Sequence, residues 1–282
     1  MDASMNNSKE IREAKEEIKP WIRRVGRVGF MAKGTVYFFI GILTIMAVLG
    51  LGGKKTGTNG MFRSLASIRF GEILLWAIGT GLIGYILWIF IKVFKDPENY
   101  GNDIKGVITR TGYLVGGIIY SGLAYNAFKI AISVGTGSGN TEQTMSARLL
   151  SQPLGQWIVG LVGVIIIGYG VYEFYQGASC SFMKKFHISD MDKKKQMIAK
   201  NAGRFGLSAR GIVLVLIGFF FVQTALSSNP NEAKGLDGAL SELSQQPHGQ
   251  WLLAVAAVGL ILYGIYQMVR GRYTRMNFGK NE

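Results

Sequence analysis

Residues 71–94 read GEILLWAIGTGLIGYILWIFIKVF, a nearly unbroken apolar run of 24 residues. A transmembrane helix needs about 20 such residues, because each residue adds about 1.5 Å toward a hydrocarbon core about 30 Å thick. Residues 155–176 have the same character, and four further runs qualify, at 28–51, 111–134, 205–227 and 250–269. The sequence therefore predicts an all-α integral membrane protein with six transmembrane helices.

The composition separates this chain from the soluble classes that its charge alone would suggest. The 282 residues carry a formal charge of +14, yet 49% of them are hydrophobic and only 17% are charged. A soluble nucleic-acid-binding domain does not combine these values, so we predict no nucleic-acid partner. The chain has one cysteine, Cys180, which excludes an intramolecular disulfide and a cysteine-based metal cluster.

Lysine and arginine residues are unevenly distributed between the two sides of these spans. Assigned to the nearest loop or tail, 22 of the 31 lie on one side and 6 on the other, and 3 lie inside spans. The positive-inside rule then predicts a multi-pass membrane protein with both termini in the cytoplasm. Residues 1–25 form a cytoplasmic tail with apolar residues every three or four positions. We predict an amphipathic helix there, which Pro20 kinks or ends.

Internal similarity divides the rest of the chain into three copies of one hairpin. Each odd-numbered span opens with an arginine that is followed two residues later by a glycine. Each even-numbered span opens with a glycine that is followed fourteen residues later by a tyrosine. Matched positions differ by 83 and 94 residues in the odd spans and by 84 and 94 in the even spans. We predict a pseudo-threefold bundle of three parallel two-helix repeats, residues 26–103, 104–198 and 199–282.

Each outer loop ends in a short amphipathic stretch, at residues 61–70, 144–155 and 236–249. We predict short helices at the outer surface that cover the bundle. A role in gating is the alternative interpretation.

The third repeat carries residues that resemble a known family. These are Arg-Phe-Gly…Ala-Arg-Gly at 204–211, Gly-Leu-Asp-Gly-Ala-Leu at 235–240 and Pro-His-Gly-Gln-Trp-Leu-Leu at 247–253, leading to Tyr263-Gly264. They resemble the bacterial three-repeat membrane family catalogued as domain of unknown function 1206, and the resemblance covers about residues 22–276. The first repeat departs most, with Lys33 in place of arginine. The resemblance implies an integral membrane fold of three two-helix repeats and no known substrate or reaction.

Three of the charged residues inside the predicted spans lie at similar depth near the cytoplasmic ends. Lys33 and Arg210 occupy matching places in the first and third repeats, and Glu173 is the only acid well inside a span. Long basic side chains at this depth can extend to the interface, which is one interpretation of the two cations. A carboxylate is too short to do so. We therefore predict an inward-facing cluster of Glu173 with Lys33 or Arg210, ringed by Tyr169 and Tyr172.

A second candidate set lies at the cytoplasmic ends of the odd-numbered spans, and it consists of Arg27, Arg110 and Arg204. These residues either bind lipid phosphates or fix the orientation of the protein. Glycines also recur at matched places within the spans, which predicts close packing between helices.

These observations leave two functions open. The centres of the spans carry no acid and no broken helix, His187 and His248 fall on opposite faces, and we predict no catalytic, metal or cofactor site. We predict a non-enzymatic scaffold or regulator that binds a membrane protein partner or lipid, including anionic lipid at the cytoplasmic face. The alternative is a channel or facilitator for an ion or small solute along the pseudo-threefold axis. A central seam of Leu, Ile and Phe favours the scaffold, and a continuous pathway lined by Tyr and Thr favours the channel.

Overall fold

The computed structural model describes residues 2–51, 57–95, 101, 103–132, 154–229, 232 and 234–274. Apart from an isolated β-bridge between Phe186 and Thr274, the regular structure of these residues is helical. Their α-helices are α1 (Asp2–Val48), α2 (Thr58–Ala66), α3 (Gly71–Lys95), α4 (Ile104–Ile132), α5 (Gly155–Ser179), α6 (Lys193–Ser227), α7 (Leu236–Gln245) and α8 (Gly249–Tyr273).

Six of the described helices are long and apolar enough to cross a membrane, namely α1, α3, α4, α5, α6 and α8. In sequence order they are three successive helix pairs, α1 with α3, α4 with α5, and α6 with α8, which confirms the predicted all-α membrane fold of three two-helix repeats. We call the side where α1 begins and α8 ends the terminal side. The opposite side, where the two helices of each pair are joined, is the hairpin side.

Helix α1 continues without interruption from Asp2 through Pro20 to Val48, so the prediction that Pro20 might end the N-terminal helix was wrong. A proline removes one backbone hydrogen bond. The carbonyl that loses its partner lies before the apolar part of α1, which begins at Arg23. Water can solvate that carbonyl there, so the helix is not forced to stop.

The short helices α2 and α7 cover the hairpin side of the bundle. Met61 and Phe62 of α2 and Leu240 of α7 are fully buried, in one apolar core with Leu75 of α3 and Leu253 of α8. This core fills the hairpin side of the described bundle with aliphatic and aromatic side chains and continues along α1 and α3 to Phe30 and Trp88. Residues 144–153, which hold most of the second predicted short helix, lie outside the described residues.

Glycine contacts hold neighbouring repeats together. A Cβ built on Gly34 of α1 would lie 2.6 Å from the carbonyl oxygen of Gly264 in α8. The matching contact between the second and third repeats has the same distance, from Gly211 of α6 to the carbonyl oxygen of Gly170 in α5. No side chain fits at such distances. The glycines therefore allow the helix backbones to touch where lipid supplies no hydrophobic drive for association.

Among the residues that the structure describes, the ring of six helices is open at one place, between α4 and α5. Helices α1, α3, α6 and α8 each pack closely against two neighbouring spans. Helix α4 packs against α3 and α5 packs against α6, but α4 and α5 are not a closely packed pair in the part of the chain that the structure describes. The middle repeat therefore departs from the pseudo-threefold pattern.

Residue size explains this departure. In the first repeat, α1 and α3 touch at Ala32 and Gly81, and in the third repeat α6 and α8 touch at Ala209 and Gly259. By the repeat offsets, the second repeat carries the β-branched Ile165 where the other two repeats carry Gly81 and Gly259. Residues of this size do not permit the backbone approach that glycine and alanine allow.

The segment between α5 and α6 closes the terminal side. Phe182 and Phe186 lie in or next to the short 3-10 helix Ser181–Lys185, and both are fully buried. The ring centroid of Phe182 lies 5.1 Å from that of Tyr266 in α8. The backbone N–H of His187 donates a 2.9 Å hydrogen bond to the carbonyl of Tyr273, which ties this segment to the end of α8.

Candidate functional site

Arg210 of α6 and Glu173 of α5 form an ion pair in the interior of the bundle. Only 6% of Arg210 and 4% of Glu173 is exposed. The two helices are brought this close by the glycine contact at Gly170 and Gly211. Gly211 follows Arg210 directly, and Gly170 precedes Glu173 by three residues. The buried Nε of Arg210 has no hydrogen-bond partner among the described residues.

Lys33 of α1 lies in the same region without a carboxylate of its own. It is 3% exposed, and its Nζ donates a 3.0 Å hydrogen bond to the hydroxyl of Tyr85. The Nζ also lies 4.7 Å from the ring centroids of Tyr85 and Tyr120 and 5.6 Å from that of Tyr263. Cation–π attraction of about 0.5–2 kcal/mol per ring offsets part of the cost of burying the ammonium.

Tyrosine rings also surround Arg210. Its Cζ lies 4.8 Å from the ring centroid of Tyr263, 5.1 Å from Tyr37 and 5.9 Å from Tyr169. Tyr263 therefore contacts both cations. We call this group the central cluster, and it consists of Lys33, Arg210, Glu173, Tyr37, Tyr85, Tyr120, Tyr169 and Tyr263.

Repeat symmetry explains why these residues meet. Tyr85, Tyr169 and Tyr263 are matched positions of the even-numbered spans, and Tyr37 and Tyr120 are matched positions of the odd-numbered spans. Matched residues of a pseudo-threefold bundle point in the same direction relative to the axis, so those that face inward converge. The hydroxyls of Tyr37 and Tyr120 lie 3.5 Å apart.

The predicted site residues fall into two groups. The structure brings Lys33, Arg210, Glu173 and Tyr169 together, and 39% of Tyr169 is exposed. Tyr172 is 46% exposed.

The arginines at the span ends remain separate from this cluster. Arg27 and Arg204 are exposed, and Nη2 of Arg110 donates a 2.8 Å hydrogen bond to the carbonyl of Gly101.

Sequence reasoning missed two features near the cluster. Lys92 of α3 is buried, with its Nζ 4.8 Å from the Tyr113 ring centroid, although its place at the end of a span assigned it to a loop. Gln267 is the repeat equivalent of Glu173, and its Nε2 donates a hydrogen bond to the hydroxyl of Tyr263. The 94-residue offset from Glu173 is the signal that identifies Gln267 in the sequence.

The arrangement is suited to holding negative charge. Lys33 and Arg210 share the single buried acid Glu173, and the other polar groups around them are tyrosine hydroxyls and the Gln267 amide. In the described ranges, no three His, Cys, Asp or Glu side chains converge in the way that a metal ion requires. Ionisable residues inside a membrane span are costly and commonly mark a binding site or pathway.

Comparisons with known proteins match this architecture. A family model described as Domain of Unknown Function (DUF1206) matches residues 28–96, 111–179 and 205–274, one match for each helix pair. The chain is 42% identical over 266 residues to "Uncharacterized protein YxxB" of Bacillus subtilis (strain 168). The aligned region covers 94% of this chain and 96% of that protein. No solved structure matches the chain.

Proposed function

The chain belongs to the family described as Domain of Unknown Function (DUF1206), and from the central cluster within that fold we propose that it is a non-enzymatic scaffold or regulator that binds an anionic lipid. The lipid headgroup is held by Lys33 and Arg210. The protein lies in the bacterial plasma membrane with its terminal side in the cytoplasm, as the distribution of lysine and arginine favours.

One observation carries this proposal, which is the excess of positive charge inside the bundle. Glu173 neutralises Arg210, and Lys33 hydrogen-bonds only to a neutral hydroxyl among the described residues. An ammonium that is buried inside a membrane span without a counter-charge is costly. A lipid phosphate beside Lys33 would offset that cost, because it supplies the missing counter-charge in a medium of low dielectric constant.

The packing of the hairpin side gives less support to an axial channel. Ile40, Leu82 and Leu260 are fully or almost fully buried in the core that α2 and α7 cover. The described seam is therefore aliphatic on the hairpin side and polar toward the terminal side. This asymmetry favours a ligand that enters from one leaflet over a solute that crosses both.

Lys33→Gln is expected to reduce the retention of anionic lipid about fivefold, because one headgroup contact of about 1 kcal/mol is lost. The protein would be extracted from nanodiscs that contain phosphatidylglycerol and phosphatidylcholine in equal amounts. Lipid mass spectrometry then measures the ratio of the two lipids that stay bound. This variant leaves the Arg210–Glu173 pair intact.

Lys129→Gln is the matched control, because it removes the same charge from an exposed position near the hairpin-side end of α4. It is expected to retain the wild-type lipid ratio. Equal ratios in the wild type, Lys33→Gln and Lys129→Gln would contradict lipid binding at the central cluster.

A further inference from the structure

We propose that the opening between α4 and α5 is the lateral route by which a phosphate-bearing lipid headgroup reaches the central cluster from the bilayer. This inference rests on the proposed function and names its ligand and its route. The occupant is a membrane lipid whose phosphate lies near Gly116 and Tyr169 while its acyl chains remain in the surrounding lipid.

Comparison of the three repeats locates the opening. Gly29 in the first repeat and Gly206 in the third lie directly against the backbone of the partner helix, at Tyr85 and Tyr263. Gly112 is the matching residue of the second repeat, and a Cβ built on it would meet nothing within 4 Å. The contact that closes the other two repeats is therefore absent from the middle one.

The opening lies at the level of the buried cations. Gly116 is the repeat equivalent of Lys33 and Arg210, and a Cβ built on it also meets open space. Two of the three matched positions thus carry a cation, and the third leaves room. The threefold arrangement directs Lys33 and Arg210 toward the same central region that Gly116 borders.

Tyr169 connects the opening to the cluster. Its side chain is 39% exposed, and its ring centroid lies 5.9 Å from Cζ of Arg210. The Nε of Arg210 is buried without a hydrogen-bond partner among the described residues. An oxygen-rich anion that passes Tyr169 therefore meets a guanidinium donor and the Lys33 charge together.

Depth and direction favour a lipid as the occupant. The apolar part of α4 begins at Thr109. Gly116 lies seven residues further along the helix, which is a distance of roughly 10 Å. That depth lies within one leaflet of a hydrocarbon core about 30 Å thick. The opening faces sideways between two spans, so the molecules next to it are lipids rather than solutes.

Gly116→Leu tests the route without altering any cluster residue. The leucine would occupy the open space, so we expect the preference for phosphatidylglycerol over phosphatidylcholine in the same nanodisc assay to fall about fivefold. Gly116→Ala fills less space and is expected to lower the preference by a smaller factor. Gly122→Leu is the matched control, because Gly122 lies on the same helix, faces open space and is nearer the hairpin side.

The outcomes separate the route from the proposed function. Loss of the preference in Lys33→Gln but not in Gly116→Leu, with both proteins folded, would overturn the lateral route and leave lipid binding intact. No preference in the wild type would overturn both. Inorganic phosphate is tested as a third ligand. If phosphate alone displaces the bound phosphatidylglycerol and stabilises the protein as much as that lipid does, the ligand is a soluble anion and the lipid assignment fails.

Discussion

Glu173→Gln is expected to lower the free energy of unfolding by about 3–5 kcal/mol, because it leaves the Arg210 guanidinium buried without its acid. The three tyrosine rings around Arg210 do not replace the carboxylate, since they make the same contacts before and after the substitution. Unfolding in detergent micelles, followed by circular dichroism as the fraction of denaturing detergent rises, measures the change.

A second ion pair in the chain provides the control. Nζ of Lys234 lies 2.6 Å from Oε2 of Glu242, and about a third of each side chain is exposed. Glu242→Gln is therefore expected to change stability by only about 0–1 kcal/mol. The double variant Glu173→Gln with Arg210→Gln removes both buried charges and is expected to recover most of the lost stability. If Glu173→Gln unfolds like Glu242→Gln, the buried pair does not stabilise the bundle.

The transmembrane segments could be predicted because their length and apolarity are local properties. The third helix is an example, with 71–94 predicted and Gly71–Lys95 observed. The start of α6 was predicted less well, since that helix begins at Lys193 and the apolar run begins near residue 205. Hydropathy marks where a helix meets the membrane, and a helix in water can continue beyond that point with its backbone bonds satisfied.

The central cluster could be predicted only in part. Glu173 stands out in the sequence because a short acid inside a span needs a partner, and the repeat offsets align the tyrosines. The burial of Lys92 depends on how α3 and α4 pack around Trp88 and Tyr113, which no local pattern encodes. Gly112 conceals the α4–α5 opening, because it preserves the glycine pattern of the other repeats, and the signal in the sequence is Ile165 in place of a matched glycine.

Alanine at one matched position is expected to have opposite effects in different repeats. Gly206→Ala places a methyl group against the backbone of Tyr263, and Gly29→Ala does the same at Tyr85. Each should reduce the free energy of unfolding by about 1–3 kcal/mol, because the helices must separate to admit the methyl group. Gly112→Ala meets open space and should be neutral or stabilising by about 0.5–1 kcal/mol, through the higher helix propensity of alanine.

The three variants serve as controls for one another, because each makes the same chemical change at the same depth of an odd-numbered span. Thermal unfolding of the purified proteins in one detergent gives the comparison, with cysteine labelling at Gly112→Cys as an independent measure of access from lipid. A lipid-soluble maleimide should modify that thiol quickly in a Cys180→Ser background. If Gly112→Ala instead destabilises the protein as much as Gly206→Ala, the helices of the middle repeat are packed as closely as the others, and the lateral opening is absent from the folded protein.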